Sequence, residues 1–97
     1  MPMTVVVTRD VEARYRGFLA SAFLEVAPGV YLSPDLSAGV RERVWTVVRD
    51  WYRTLGRGAL VMIWRDPNAP GGVSLRHLGD PPKEIRDADG VLLVKRR

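Results

Sequence analysis

The alternation of apolar and polar positions changes period several times along the chain, and each change marks an element. Met3–Thr8 (MTVVVT) is a run of mostly β-branched residues without a charge, the pattern of a central strand buried on both faces. From there the period lengthens. Val11, Tyr15, Phe18, Leu19, Ala22 and Phe23 recur at helical spacing and predict a helix over 11–23. Asp10 stands before it as an N-cap, since a carboxylate there accepts from the free amides of the first turn. Leu24–Ala27 and Val30–Leu32 flank Pro28-Gly29 and read as a hairpin. Pro presets the second turn position and Gly tolerates a positive φ at the third. Ser33-Pro34-Asp35 breaks the chain, and Ser37 caps a second helix. Its stripe is Val40, Val44, Val47, Val48, Trp51 and Leu55, and Gly56 supplies the left-handed stop. Ala59–Trp64 is a second wholly apolar strand, Asp66–Gly72 a dense turn segment, and Val73–Leu78 an alternating, half-exposed strand. Gly79–Gly90, with Pro81-Pro82, is expected to have little regular structure. Val91–Val94 is a last short strand before the basic end Lys95-Arg96-Arg97.

Strand, helix, hairpin, helix, strand is the split βαβ order. The fold class expected is therefore α+β, a ferredoxin-like βαββαβ sandwich with extra C-terminal strands. Residues 1–78 form its core, and residues 79–97 a C-terminal loop and short strand. Each helix has one apolar stripe, so both lie on one face of the sheet. Met3–Thr8 and Ala59–Trp64 are interior strands, apolar on both sides, so the other face needs cover as well. A homodimer through that face is the cheapest cover for so small a chain.

Composition narrows this further. With 97 residues the chain is one domain, and it buries only about 60–65% of the surface its unfolded form exposes. It has no cysteine, which removes disulfide scaffolds and thiolate metal sites. No stretch approaches the ~20 apolar residues of a membrane span. The N-terminus lacks the basic and apolar regions of a signal peptide, so a cytoplasmic protein without membrane contact is expected. Lys and Arg number 15 against 11 acidic residues, a net charge of +4. The entire excess lies in residues 51–97. Arg accounts for all but two of the cations, and its planar fork suits phosphate and carboxylate. A basic half points to nucleic acid or another acidic partner, although a high-GC coding bias also favours Arg over Lys.

Three pieces of sequence, in order, resemble a known family. They are the buried strand leading into Val11…Arg14-Tyr15-Arg16-Gly17, the hairpin Glu25-Val26…Pro28-Gly29-Val30-Tyr31, and the helix opening Ser37-Ala38…Val40-Arg41-Glu42. Together they look like the small CRISPR-associated adaptation protein Cas-two of the subtype I-E branch. The likeness is close over about residues 1–65 and looser beyond. It implies a ferredoxin-like homodimer that sits between two dimers of the integrase subunit, Cas-one. The assembly captures a double-stranded DNA duplex and inserts it into the CRISPR array as a new spacer. The integrase does the chemistry, while the Cas-two dimer holds the duplex backbone and bridges the active sites. Other members are metal-dependent endonucleases acting on RNA or double-stranded DNA, with an acidic residue at the end of the first strand.

The resemblance also assigns residues. Arg14 and Arg16 match positions that contact DNA phosphates. Their place in the first turns of a helix adds the dipole's attraction for an anion. The competing reading pairs them with Glu12 or Asp10. Lys83 and Arg86 lie where relatives carry a DNA-touching basic pair. Asp10 is the residue a nuclease needs. Two Asp10 carboxylates near a twofold axis could hold one Mg²⁺ with several waters, and the ion would activate water toward a phosphodiester. Asp10 is thus the candidate catalytic and metal-ligating residue as well as a cap. The branch usually carries its acidic residue one place earlier, where Arg9 stands here. Val91, Leu92, Leu93 and Val94 are the candidate strand for docking on the integrase subunit through an open sheet edge. Arg41, Arg43, Arg49 and Arg53 read as the solvated side of the second helix, and Trp45, Trp51 and Trp64 as core anchors. His77, the only histidine, has no triad partners at a recognisable spacing.

Overall fold

The computed structural model describes residues 3–79, 84–88 and 91–95, the last two segments by backbone alone. Its elements run β1 (Thr4–Arg9), α1 (Ala13–Ala22), β2 (Leu24–Ala27), β3 (Val30–Ser33), α2 (Ala38–Leu55), β4 (Ala59–Arg65), a 3-10 turn (Pro70–Gly72), β5 (Val73–Leu78), β6 (Glu84–Ala88) and β7 (Val91–Lys95). The first five strands form one sheet in the order β2-β3-β1-β4-β5, every neighbouring pair antiparallel. Its first four strands follow the ferredoxin-like order, and β5 is added beside β4. That addition makes β4 an interior strand, in keeping with its lack of polar positions before Arg65.

The two faces of the sheet differ sharply. Val6 pairs with Tyr31 on β3 and Met62 on β4, and all three are fully buried. They meet Tyr15 and Leu19 of α1 and Val44, Trp45 and Val48 of α2 in one core with Leu60 and Trp64. On the opposite face, Leu24, Leu32, Val5, Ile63 and Leu75 stand in one cross-strand row, and Val30, Val7, Val61 and His77 in the next. None of these nine is buried, and Leu24 is 63% and Val7 37% exposed. This second face is apolar, and the described residues leave it uncovered.

Helix α2 follows its sequence signals. The Ser37 hydroxyl accepts from the Val40 amide at 3.2 Å, and Gly56 closes the helix at φ 59° with its amide on the Tyr52 carbonyl. Trp45, outside the expected stripe, is buried with it. Helix α1 differs from expectation at its start. It begins at Ala13, its N-cap is Glu12, and no side chain caps it. Asp10 is not the cap. It sits at φ 58°, the one described non-glycine residue with positive φ, and turns the chain off the end of β1. Short polar residues adopt this conformation at least cost. The segment expected to lack structure also differs. Glu84–Ala88 is a strand paired with β7, Ala88 opposite Val91. The Asp89-Gly90 dipeptide between them is of the type favoured in two-residue hairpins, a signal the polar composition outweighed.

The β1–β4 ladder runs to its end, pairing Arg9 with Ala59. The chain leaving α2 therefore arrives at the point where β1 gives way to Asp10. Gly58 makes that approach feasible. It lies at φ +83°, and a Cβ there would stand 2.4 Å from the Asp10 carbonyl oxygen and 2.5 Å from that of Arg9. Gly58→Ala is expected to cost about 2–4 kcal/mol, from positive φ plus backbone collision. Gly17 is the matched control, since its helical site has nothing within 4 Å of an added Cβ. Gly17→Ala is expected to stabilise by about 0.5–1 kcal/mol. Urea unfolding of the two variants measures both, and equal effects would refute the close approach.

Candidate nucleic-acid interface

The end of the sheet where β1 stops leads through Asp10 into the start of α1, which carries Arg14 and Arg16. Arg14 and Arg16 occupy the second and fourth positions of α1, and both are exposed. No acidic residue lies in that first turn, so the helix dipole and two cations act in the same direction on an approaching anion. Arg14 is steadied by an aromatic platform: its guanidinium carbon lies 5.3 Å from the centre of the Trp51 ring. Trp51 itself packs edge-on against Tyr15 and Phe18, with centroids 5.5 and 5.3 Å away. Arg16 faces a shallow cleft shared with Thr8, Asp10, Gly29 and Arg57. The β2–β3 turn is fixed at the cleft's rim, because the Gly29 carbonyl accepts from both the amide and the hydroxyl of Thr8, at 2.7 and 3.1 Å.

The pairing left open by sequence resolves in an unexpected way. Asp10 and Glu12 pair with Arg57, not with Arg14 or Arg16. One Arg57 nitrogen donates to Asp10 Oδ1 at 3.0 Å and the other to Glu12 Oε1 at 3.3 Å. The hydrogen bond and charge of Asp10, with the charge of Glu12, raise the Arg57 pKa above its already high value. Among the described residues, neither Arg14 nor Arg16 has a carboxylate within 4.0 Å.

Arg57 was missed by sequence reasoning. The signal was present in its setting, an Arg between two glycines in the link from α2 back to the strand beside β1. The same pairing bears on a metal at Asp10. A guanidinium held against one of its oxygens occupies and repels where a divalent ion would bind. No group of three His, Cys, Asp or Glu gathers anywhere among the described residues. Within one protomer these residues do not fit a Mg²⁺ site.

The remaining candidates scatter. Lys83 lies outside the described residues. For Arg86 and for Val91, Leu92, Leu93 and Val94 only the backbone is described, Arg86 on β6 opposite Leu93 on β7. Arg43, Arg49 and Arg53 are exposed as expected, the latter two near Asp50 at 3.8 Å each. Arg41 is not solvated. Its side chain is 14% exposed, with the guanidinium carbon 4.3 Å from the Trp64 ring centre. Arg76 on β5 reaches over the same ring and donates to Glu42 at 2.7 Å. This cluster fastens α2 to the added strand. Trp45 and Trp64 are core residues, as expected, and Trp51 is half-buried. His77 belongs to the uncovered sheet face.

The fold is thus a small antiparallel α+β sandwich with two exposed arginines at the start of a helix. Its family is explicit. The family model described as CRISPR-associated protein (Cas_Cas2CT1978) matches residues 3–93. The chain belongs to this CRISPR-associated, Cas-two-type family. No helix among its described residues is long and apolar enough to cross a membrane.

The Glu42 ion pair carries a pH prediction. The hydrogen bond from Arg76 holds the Glu42 carboxyl below its ordinary value, against a smaller opposing effect of burial. A depressed folded-state pKa adds stability above the unfolded value, about 4, and loses it as pH falls through the folded one. Wild type should therefore exceed Glu42→Gln in stability at neutral pH, and the gap should close on acidification. Urea unfolding across that range measures it. A gap independent of pH would mean that the ion pair contributes nothing.

Proposed function

We propose that this chain is the adaptation subunit of a CRISPR system. As a homodimer it holds a DNA duplex by its phosphates and bridges two dimers of the integrase subunit, Cas-one, without catalysing integration. The observation that carries the reading is the exposed pair Arg14 and Arg16 at the start of α1, which no carboxylate among the described residues engages. Cations at a helix N-terminus oppose the dipole and cost local stability, so two of them there call for an anionic partner. Membership in a CRISPR-associated family supports nucleic acid as that anion. Lys83 and Arg86 would extend the phosphate contacts. Val91–Val94 would dock on the integrase subunit, as a strand that pairs on one side with β6 and, among the described residues, has no strand on the other. No metal ion is needed for this role.

The second reading is a metal-dependent endonuclease acting through Asp10. It would require Asp10 to exchange Arg57 for Mg²⁺, with the second carboxylate coming from another protomer. The ion pair with Arg57 weighs against it.

Phosphate recognition predicts a steep salt dependence and little sequence preference. Arg14→Ala/Arg16→Ala is expected to weaken duplex affinity by about tenfold or more. The slope of log K against log salt should fall by about 0.9 for each phosphate no longer neutralised. Fluorescence anisotropy with two unrelated duplexes measures both quantities. Unchanged affinity and slope would remove the main support. The same proteins incubated with Mg²⁺ or Mn²⁺ test the second reading, which requires cleavage by wild type and none by Asp10→Asn.

The homodimer rests on the uncovered face. That face carries two cross-strand rows, apolar but for His77, which the described residues leave uncovered, and a contiguous apolar patch of this kind marks an interaction surface. A second copy laid face to face would bury them. Val7→Glu puts a charge at the middle of the row and is expected to convert dimer to monomer in sedimentation equilibrium. A dimer that survives the change would place the interface elsewhere.

A further inference from the structure

Arg57 is exposed and lines the same cleft as Arg16. We propose that it is the resident cation of the Asp10–Glu12 pair. It acts as a positioning residue that keeps Arg14 and Arg16 available to phosphate and does not touch phosphate itself. The inference rests on the duplex-binding reading and deepens it.

The geometry shows an ion pair that is built rather than incidental. A single guanidinium bridges two carboxylates that are 47 and 45 residues away in sequence. Its backbone is held on both sides. Gly56 closes α2 in the left-handed region, and its amide donates to the Tyr52 carbonyl at 2.9 Å. The Gly58 carbonyl accepts from the Tyr52 hydroxyl at 3.1 Å. Gly58 also lies so close to the Asp10 and Arg9 carbonyls that no side chain fits there. Tyr52 therefore grips the link before and after Arg57, and Arg57 is delivered to the end of β1.

Charge gives this pairing its consequence. Asp10 and Glu12 offset Arg14 and Arg16 in formal charge, and Arg57 adds a further positive charge to this end of the sheet. Glu12 and Arg16 stand four apart at the start of a helix, the acidic residue first, which is the favoured order for an ion pair. Without Arg57, Glu12 would turn to Arg16 and Asp10 would face the same cleft unpaired. One substitution would then remove a positive charge, sequester a phosphate-binding arginine and expose a carboxylate to the duplex. A divalent ion bridging the two carboxylates would serve the same purpose. Arg57 does so without one.

The experiment compares duplex affinity and salt slope in wild type, Arg57→Ala and three double variants. Arg57→Ala/Glu12→Gln, Arg57→Ala/Asp10→Asn and Arg57→Ala/Asp50→Asn all carry the formal charge of wild type. Asn suits the positive φ of Asp10. Asp50 lies on α2 with Arg49 and Arg53 and serves as the control. Arg57→Ala is expected to lose about tenfold in affinity and to flatten the salt slope by about 0.9 or more. Glu12→Gln and Asp10→Asn should each restore threefold or more and recover slope, while Asp50→Asn restores less than twofold. Arg57→Ala binding like wild type would overturn the proposal. So would rescue no better than that of Asp50→Asn, which would make Arg57 itself a phosphate ligand. The same five proteins eluted from heparin separate the Arg57 inference from the DNA reading. If wild type fails to bind duplex, the DNA reading fails. The Arg57 inference then stands or falls on whether salt of elution follows the same order.

Discussion

The antiparallel ladder between β1 and β4 is the constraint on which the rest of the domain depends. It runs through six pairs from Thr4 opposite Trp64 to Arg9 opposite Ala59. Because it is central, its strands must be apolar on both sides, and that creates two faces of unequal fate. One is filled by α1 and α2. The other presents rows of Val, Leu and Ile that the described residues do not cover. Because the ladder is antiparallel and complete, it also fixes which chain segments meet at its end. The link out of α2 has to arrive where β1 stops, and it arrives with Arg57.

Electrostatics at that end follows from backbone geometry more than from composition. The +4 of the chain resides formally in its second half. Arg14 and Arg16 lie in the first half, where acids and bases balance. What separates the charges is topology: a second-half cation crosses over to hold two first-half anions. A net charge summed by segment cannot see this, since it treats neighbours in sequence as neighbours in space. Across the core, Arg41 and Arg76 show the converse. They contribute to the basic count, yet they are engaged with Trp64 and Glu42 and bind the added strand β5 to α2.

Much of the fold was legible because its signals are local. Ser37, Gly56, Pro28-Gly29 and the two apolar strands each specify their own conformation, and the element order then restricts the sheet. The start of α1 was misread because two local rules competed. An Asp before a helical stripe is a good cap, but here it turns the chain two residues earlier and gives its carboxylate to Arg57. The strand Glu84–Ala88 was missed because polar composition masked a two-residue turn signal. Of the candidate site, Arg14 and Arg16 came from family likeness, and both lie exposed in the first turns of α1. Arg57 was hidden because its role exists only once β1 and β4 are paired. With that ladder in hand, its register extended by two residues sets position 57 beside position 11.

The left-handed conformation of Asp10 has a bearing on how function at this position is tested. The residue carries two separate properties, a carboxylate and a backbone angle that few side chains accept. Replacement by Ala removes both together and so perturbs the exit from β1, the seat of Gly58 and the aim of Arg57 along with the charge. A lost activity in such a variant would speak about chain direction as much as about chemistry. Asn keeps the angle and changes only the charge, and Gly keeps the angle and deletes the side chain. The pair of substitutions, read side by side, separates what the carboxylate does from what the bend does.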